Sequence, residues 1–225
     1  FKLVFNHIFR RSAKVVSLGG KLTTILQDIV PESKIVTLPN GIDLDLFPMR
    51  EETPSKFNFL FVGRFASNKG ISNLLEVSRE LIDEGHRFEL NLIGKGPLYD
   101  NLVSEYGVLE WIKFHGFASD DEIAAAYRQC SVFVLPTLFE GMPTVVLEAM
   151  ASGAPIIVSD VGACREMVGE ENGWVIEPGN NRSLYNAMKE SLGNTTLASK
   201  SRHSVLKVRS FTWLKVTELT VRNLN

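Results

Sequence analysis

From residue 57 onward, the chain alternates short apolar runs with longer stretches of helical periodicity. Each run is rich in Phe, Val, Ile and Leu, which favours β-strands. An alternation of this kind predicts an α/β fold in which a parallel sheet is covered by helices on both faces. Such sheets bind ligands outside the carboxyl ends of their strands. The predicted strands are residues 59–62, 88–93, 112–115, 132–135, 156–158 and 174–176.

The residues before this alternation are organised differently. Strands are predicted at 14–18 and 34–38 around a helix at 21–30, and the second strand runs into Pro39-Asn-Gly-Ile-Asp43. Residues 44–56 carry two prolines and several charges without sustained periodicity, which is typical of a linker between domains. The sequence therefore predicts a domain boundary after Asp43.

Both ends of the chain are predicted to be helical. Residues 1–11 combine Phe side chains with a basic end, which favours a helix that packs against a domain missing from this chain; a membrane surface is the alternative. Residues 191–209 are predicted as a polar approach to a last helix at 212–222.

The composition excludes several classes of function. A content of 44% hydrophobic residues in 225 is enough for a sizeable core. The formal net charge of -2 argues against a surface that binds nucleic acid, so any phosphate recognition must be local. Cys130 and Cys164 are too few for a disulfide scaffold or a zinc site, and we expect both to be buried in a protein of a reducing compartment. No apolar run is long enough to span a membrane, so we expect a cytoplasmic protein.

Two cations flank the loop after the first strand of the alternating region. Gly63 and Arg64 end the strand, and Lys69 and Gly70 open the following helix. Arginine binds phosphate oxygens in bidentate fashion and a helix N-terminus favours an anion, so the loop is a candidate diphosphate cradle. The alternative is a loop with ordinary surface charges. A Walker loop is excluded, because it needs glycine where Asn68 stands.

The next two strands also end in small residues. Gly94 and Gly96 could let the backbone approach a ligand, but a tight turn in which Pro97 starts the helix is favoured, since the dinucleotide fingerprint would need glycine in place of Tyr99. Phe117 offers an aromatic face for a nucleobase, and burial in the core is the alternative.

Two carboxylates bracket a turn and an apolar run after the strand 132–135. Pro143 is expected at the first helical position and Gly153 near the C-terminal cap, so Glu140 lies just before a short helix. The N–H groups of residues 142–145 point into the same space and could meet a phosphate or sugar oxygen. Glu148 follows an apolar run, and an ionised carboxylate there needs hydrogen-bonding partners. A polyhydroxylated ligand would supply them.

Taken together, these motifs resemble the donor-binding half of the group 1, or family 4, retaining glycosyltransferases of GT-B architecture. The resemblance spans about residues 34–219 and rests on the order and spacing of the motifs. They are Pro39-Asn-Gly-Ile-Asp43, Val62-Gly-Arg64 with Lys69-Gly70, Gly94-x-Gly96-Pro97, His115-Gly116-Phe117, the segment from Glu140 to Pro155, and Phe211-Thr-Trp213.

The resemblance implies a Rossmann-like domain that is the C-terminal half of a GT-B fold. It divides the chain into a remnant of an N-terminal acceptor domain with the linker start (1–43), a linker (44–56), a nucleotide-sugar-binding domain (57–209) and a C-terminal crossover helix (210–225). Because the N-terminal domain is nearly all missing, the acceptor site is expected to be absent. The last helix, which would cross to that domain, should expose apolar surface.

The resemblance also implies roles for individual residues. Arg64 and Lys69 would neutralise the diphosphate of the donor and the charge of the leaving group, and Glu140 would face the donor sugar. Glu148 would accept hydrogen bonds from ribose hydroxyls. Sugar oxygens and phosphate would meet the backbone of Gly141, Met142, Pro143, Thr144 and Val145, and the base would lie near Phe117 and the glycine loops of Gly63, Gly94 and Gly96.

The function expected from the resemblance is transfer of a hexosyl-type sugar from a nucleotide donor, with retention of configuration, to an unknown glycan, lipid or other acceptor. This chain alone would bind the donor without transferring it. Neither a metal nor another cofactor is expected, and no histidine lies at metal-ligand spacing with another. Peripheral membrane association would come through the missing domain. A non-catalytic nucleotide-sugar-binding module is the alternative, and an NAD-dependent oxidoreductase is a distant third.

Overall fold

The computed structural model describes residues 2–52 and 54–224. Phe1, Thr53 and Asn225 belong to the predicted first helix, linker and last segment, and they lie outside the described residues.

The first part of the chain forms a small unit of its own. It comprises helix α1 (Lys2–Arg11), strand β1 (Val15–Ser17), helix α2 (Lys21–Gln27) and strand β2 (Ile35–Thr37), and the two strands pair in parallel. Its core is a separate small cluster around Val15, Leu26 and Val30. The two strands and the helix between them are therefore present as predicted, although each is shorter.

The central element is a six-stranded parallel sheet in the order β5-β4-β3-β6-β7-β8. The prediction of six parallel strands from the apolar runs is confirmed. The chain builds outward from β3 in one direction and then returns to build outward from β6 in the other, so these two neighbours mark the point where the strand order reverses. The strands are β3 (Asn58–Val62), β4 (Glu89–Ile93), β5 (Ile112–Gly116), β6 (Val132–Leu135), β7 (Ile156–Ser159) and β8 (Gly173–Ile176).

Helices cover both faces of this sheet, because each parallel crossover must return the chain to the start of the next strand. Among them, α3 packs beside α8 and α6 packs beside α9. The helices are α3 (Ile71–Asp83), α4 (Tyr99–Tyr106), α5 (Asp120–Gln129), α6 (Thr144–Ala151), α7 (Cys164–Met167), α8 (Asn181–Leu192), α9 (Leu197–Val208) and α10 (Trp213–Leu224).

The prediction of a polar approach at residues 191–209 is wrong, since most of that segment is α9. Its polar appearance comes from serines that are buried against α6. Ser204 Oγ donates to the carbonyl oxygen of Ala154 at 2.8 Å, and a Cβ on Gly153 would lie 3.1 Å from Ser201 Oγ. Small hydroxyl side chains thus allow a close helix contact that an apolar periodicity does not reveal.

The last helix docks on the linker start and leaves apolar surface exposed. Ile42 N donates to the carbonyl oxygen of Phe211 at 2.8 Å, which fixes the chain before α10. Along α10, Trp213, Leu214 and Val221 are exposed, which confirms the predicted exposure of apolar surface on this helix. Cys130 and Cys164 are buried and unpaired, as predicted. Within residues 2–52 and 54–224, no helix is both long and apolar enough to cross a membrane.

Candidate functional site

The loops at the carboxyl ends of β3, β4 and β5 are joined by backbone hydrogen bonds. Phe65 N donates to the carbonyl oxygen of Lys95 at 3.0 Å, and Gly94 N donates to that of Gly116 at 2.7 Å. Three successive strand ends therefore form one continuous edge. This edge is where the topology of the sheet predicts a ligand.

Two glycines allow this edge to close up. Gly94 has φ +128°, and a Cβ on it would lie 2.0 Å from the carbonyl oxygen of Gly63. Gly70 has φ +68°, and a Cβ there would lie 2.0 Å from the carbonyl oxygen of Pro136. No other residue type combines this backbone conformation with this absence of a side chain. Gly70 therefore brings the start of α3 against the loop that follows β6.

Lys69 and Glu140 meet across the point where the strand order reverses. The Lys69 ammonium donates to Glu140 Oε1, and the two side chains are only 23% and 17% exposed. Arg64 differs, because it is exposed and its guanidinium has no acceptor among the residues that the structure describes. The predicted cradle therefore contains one cation that is already paired with a carboxylate and one that is available to an anion.

The turn before α6 presents donors. Asn40 Nδ2 donates to the carbonyl oxygen of Met142 at 2.7 Å, and Ala163 N donates to that of Gly141 at 2.8 Å, so the acceptors of the turn are used. Within the described part of the chain, the N–H groups of Met142, Thr144 and Val145 find no acceptor. The helix begins at Thr144, with Pro143 as its N-cap rather than its first helical residue.

Glu148 is half-buried on α6 and has partners within the protein. Tyr127 Oη on α5 donates to Glu148 Oε2 at 2.9 Å, and the Thr144 side chain lies near the same carboxylate. Burial raises the pKa of Glu148, the hydroxyls of Tyr127 and Thr144 act in the opposite direction, and the charge of Asp120 adds to the rise. Among the described residues, Glu148 does not bond to Lys69 or Arg64, so its carboxylate is held from α5 rather than by the cations of the loop after β3.

Phe117 is 81% exposed, so the alternative that it packs in the core is wrong. Its ring lies 5.6 Å from Lys95 Nζ and helps to line a cavity of about 480 Å³ at the carboxyl edge. The same cavity is lined by Arg64, so an aromatic face and an unpaired cation open into one space. Three other predicted site residues also line this cavity: Gly63, Gly94 and Gly96.

A larger cavity, of about 750 Å³, lies along the exposed face of β4 and β5. The polar side chains of the two strands satisfy one another, since Lys113 pairs with Glu89 at 2.9 Å and His115 bonds to Asn91 at 2.8 Å. Phe117 and Ala118 line it at one end, but most of its lining follows the two strands and α5 rather than the strand ends. We therefore place the candidate site at the smaller cavity and the neighbouring loops.

Several residues of this region were not predicted from the sequence. Tyr127 and Lys95 contact predicted site residues, and nothing in their local sequence marked them. From the N-terminal unit, Lys21 Nζ lies 3.2 Å from Asp160 Oδ2, and Lys21 N donates to the carbonyl oxygen of Gly162 at 3.0 Å. The paired glycines before Lys21 could have indicated this contact. Gly20 has a positive φ and no side chain, which allows the close approach to Gly162.

Comparison with known proteins gives a consistent result. The family model described as glycosyl transferases group 1 matches residues 56–194. An uncharacterized glycosyltransferase of Methanocaldococcus jannaschii, MJ1607, is 33% identical over 192 residues, which are 77% of this chain and 49% of that protein. The chain thus spans about half the length of this curated relative.

Solved structures share the fold. Sucrose-phosphate synthase from Thermosynechococcus elongatus superimposes with a TM-score of 0.84 at 24% identity, over 99% of this chain and 61% of that one. The Anabaena protein HepE, solved in complex with UDP-glucose, gives a TM-score of 0.83 at 18% identity, over 99% of this chain and 66% of that one.

Proposed function

Because the chain belongs to the group 1 glycosyltransferases, we propose that the carboxyl edge of its sheet binds a nucleotide sugar, as the donor for transfer of a hexosyl-type sugar with retention of configuration. The observation that carries this proposal is the cavity shared by Phe117 and Arg64. It offers an aromatic face to a base and a guanidinium to a phosphate within one space.

The neighbouring groups suit the rest of such a donor. The N–H groups of Met142, Thr144 and Val145 have no acceptor within the described residues, and a helix N-terminus favours phosphate and sugar oxygens. Glu148 supplies an acceptor one turn further along α6, for the ribose hydroxyls. Glu140, held by Lys69, supplies another acceptor that faces the donor sugar.

Catalysis would then be electrostatic. When the bond between the sugar and the diphosphate breaks, negative charge grows on the departing oxygen, and Arg64, Lys69 and the first N–H groups of α6 would stabilise it. Lys69 would divide its hydrogen bonds between Glu140 and the phosphate, since an ammonium has three donors. Neither carboxylate is assigned a proton-transfer step. This mechanism needs no metal, so chelation is expected to leave donor binding unchanged.

The identity of the donor is proposed from a structural neighbour. HepE was solved with UDP-glucose, and we propose a UDP-sugar as the first donor to test here. The acceptor, whether a glycan, a lipid or another molecule, would be bound by a domain beyond this chain, at the cytoplasmic membrane face or in the cytoplasm. A module that binds nucleotide sugars without transferring them is the alternative, because the same groups at the carboxyl edge would serve binding alone.

Calorimetric titration with UDP, GDP and ADP, with and without EDTA, tests this proposal. We expect at least one nucleotide to bind, and Arg64→Ala to weaken that binding roughly tenfold, as expected for loss of a charge-assisted hydrogen bond. Arg182→Ala, which removes another exposed guanidinium, on α8 and outside the cavity, is the control and should have no effect. If none of the three nucleotides binds the wild-type chain, the proposal is wrong.

Hydrolysis of the donor separates the enzyme from the binding module. The chain, and a version extended by its upstream coding sequence, would be incubated with UDP-glucose, and the release of UDP would be followed by mass spectrometry. Release by the extended version supports a transferase, and binding without release in both supports the module.

A further inference from the structure

Tyr127 is held rigidly beside Glu148. Its side chain is fully buried, and its ring lies edge-on to Phe47 of the linker at 6.0 Å and to Phe133 of β6 at 5.6 Å between centroids. Because the ring is fully buried and packs against two other aromatic rings, its hydroxyl has little freedom to move. From there it donates to Glu148 Oε2 at 2.9 Å.

We propose that Tyr127 is a positioning residue for donor binding, which holds the Glu148 carboxylate in place and in its ionised form so that it can accept hydrogen bonds from the nucleotide ribose. The inference rests on the proposed function and adds a residue, on α5, that touches neither donor nor acceptor. It acts only through Glu148.

The hydrogen-bonding capacity of the carboxylate supports this role. An ionised carboxylate has about four lone-pair sites. Tyr127 uses one, and the nearby Thr144 hydroxyl can occupy another, so at least two remain for ligand hydroxyls, which is the number that a ribose diol needs. A protonated Glu148 would instead donate one hydrogen bond and lose part of this capacity, so its ionisation matters for binding.

The surroundings of Glu148 explain why it needs this support. Burial is the main cause that raises its pKa, and Asp120 at the start of α5 raises it further. Opposing these are the hydroxyls of Tyr127 and Thr144, and no cation pairs with Glu148 among the described residues. Burial also raises the pKa of Tyr127 well above its ordinary value, so its hydroxyl stays a donor.

Tyr127→Phe tests the inference, with Tyr185→Phe as the matched control. Tyr185 is also buried and its hydroxyl also donates to a glutamate, Glu84 at 2.7 Å, but this pair lies between α8 and the end of α3, away from the site. Two quantities would be measured for each variant: the pKa of Glu148 by NMR titration of its carboxyl carbon, and affinity for UDP-glucose, GDP-mannose and ADP-glucose between acidic and neutral pH. The diphosphate of these probes is esterified at both ends and does not take up a proton in this range.

The ionised form of Glu148 is the one that accepts hydrogen bonds from the ribose, and this sets the direction in which affinity changes with pH. Affinity should fall as the pH drops through the pKa of Glu148, which already lies above its ordinary value of 4.5. In Tyr127→Phe that pKa should rise further, so the decline begins at a higher pH. Affinity at neutral pH should fall roughly two- to tenfold, because a carboxylate that Tyr127 no longer holds must be ordered when the ribose binds. Tyr185→Phe should match the wild type in both measurements.

The outcomes separate the inference from the proposed function. An unchanged pKa of Glu148 in Tyr127→Phe overturns the inference, whatever the nucleotides do. A raised pKa with no binding of any probe to the wild-type chain overturns the proposed function and the positioning role that rests on it. Should Tyr127→Phe fail to fold, 3-fluorotyrosine at position 127 keeps the ring and makes the hydroxyl a stronger donor. It should lower the pKa of Glu148, and a pKa that does not fall overturns the inference.

Discussion

The ammonium group of Lys69 donates a hydrogen bond to Glu140 and joins the loops after β3 and β6, the two strands between which the strand order reverses. The sequence separates these residues by 71 positions, and the topology makes them neighbours. Their pairing joins two side chains that are both largely buried. It also means that an anion that enters the loop meets a lysine whose position is already set.

Replacement of Lys69 by methionine should weaken nucleotide binding and lower stability together. The change removes a cation from the proposed diphosphate site and leaves Glu140, a largely buried carboxylate, without its partner. We expect at least a tenfold weaker affinity by calorimetry and a loss of about 1–3 kcal/mol in the free energy of unfolding. Lys113→Met, which removes a half-exposed cation paired with Glu89, is the control. Equal effects of the two changes would contradict the special role of Lys69.

The two glutamates should differ in their effects. Glu148→Gln should weaken nucleotide binding, because an amide is a poorer acceptor for ribose hydroxyls than a carboxylate. Glu140→Gln should chiefly lower the turnover of the full-length enzyme, because its proposed contact is with the sugar. Calorimetry and a donor-turnover assay measure the two effects, and Glu171→Gln, on a surface pair with Lys207, controls for the loss of a charge. Equal losses in both assays would argue against separate roles.

Gly94→Ala should be far more destabilising than a glycine substitution elsewhere. A Cβ at Gly94 would overlap the carbonyl oxygen of Gly63, whereas Gly85, which also has a positive φ of +95°, has open space around it. Gly85→Ala should cost about 1–2 kcal/mol, from the backbone conformation alone. Gly94→Ala should cost about 3 kcal/mol or more, because backbone must also move. Denaturant unfolding of both variants measures the difference, and similar values would show that the strand ends are not as close as described.

Phe117→Ala should affect binding and spare stability. The ring is largely exposed, so its removal should change the free energy of unfolding by no more than about 0.5 kcal/mol. If a nucleobase stacks on it, affinity should fall by about 1–3 kcal/mol. Phe5→Ala removes another exposed phenylalanine, on α1, and should leave affinity as it is. If Phe117→Ala binds the nucleotide as tightly as the wild type does, the base does not stack on Phe117.

Much of the fold follows from local sequence. The six strands of the main sheet were predictable because each is a short apolar run between helical patterns, and their parallel pairing follows from the helices that connect them. The helix α9 was not predictable in this way. Its buried face contains Ser201 and Ser204, whose hydroxyls fit close to α6, so its pattern lacks the apolar stripe that marks a helix.

The candidate site was predictable only where a motif carries its own chemistry. Glu140 and Glu148 stood out as carboxylates around a turn and an apolar run, and Arg64 and Lys69 as cations beside glycines. The sequence does not give the partners of these residues, because those depend on which strands are neighbours. Tyr127 lies 21 residues before Glu148 on another helix, and no local pattern joins them.

The central claim is that a nucleotide sugar binds at the carboxyl edge between β3 and β6, and a crystal structure with the tightest-binding nucleotide of the calorimetric panel tests it most directly. The account predicts that the diphosphate lies between the guanidinium of Arg64 and the start of α6, with the base on Phe117 and the ribose at Glu148. A nucleotide bound instead in the polar cavity beside Asn91 and His115, or anywhere away from the strand ends, would contradict it.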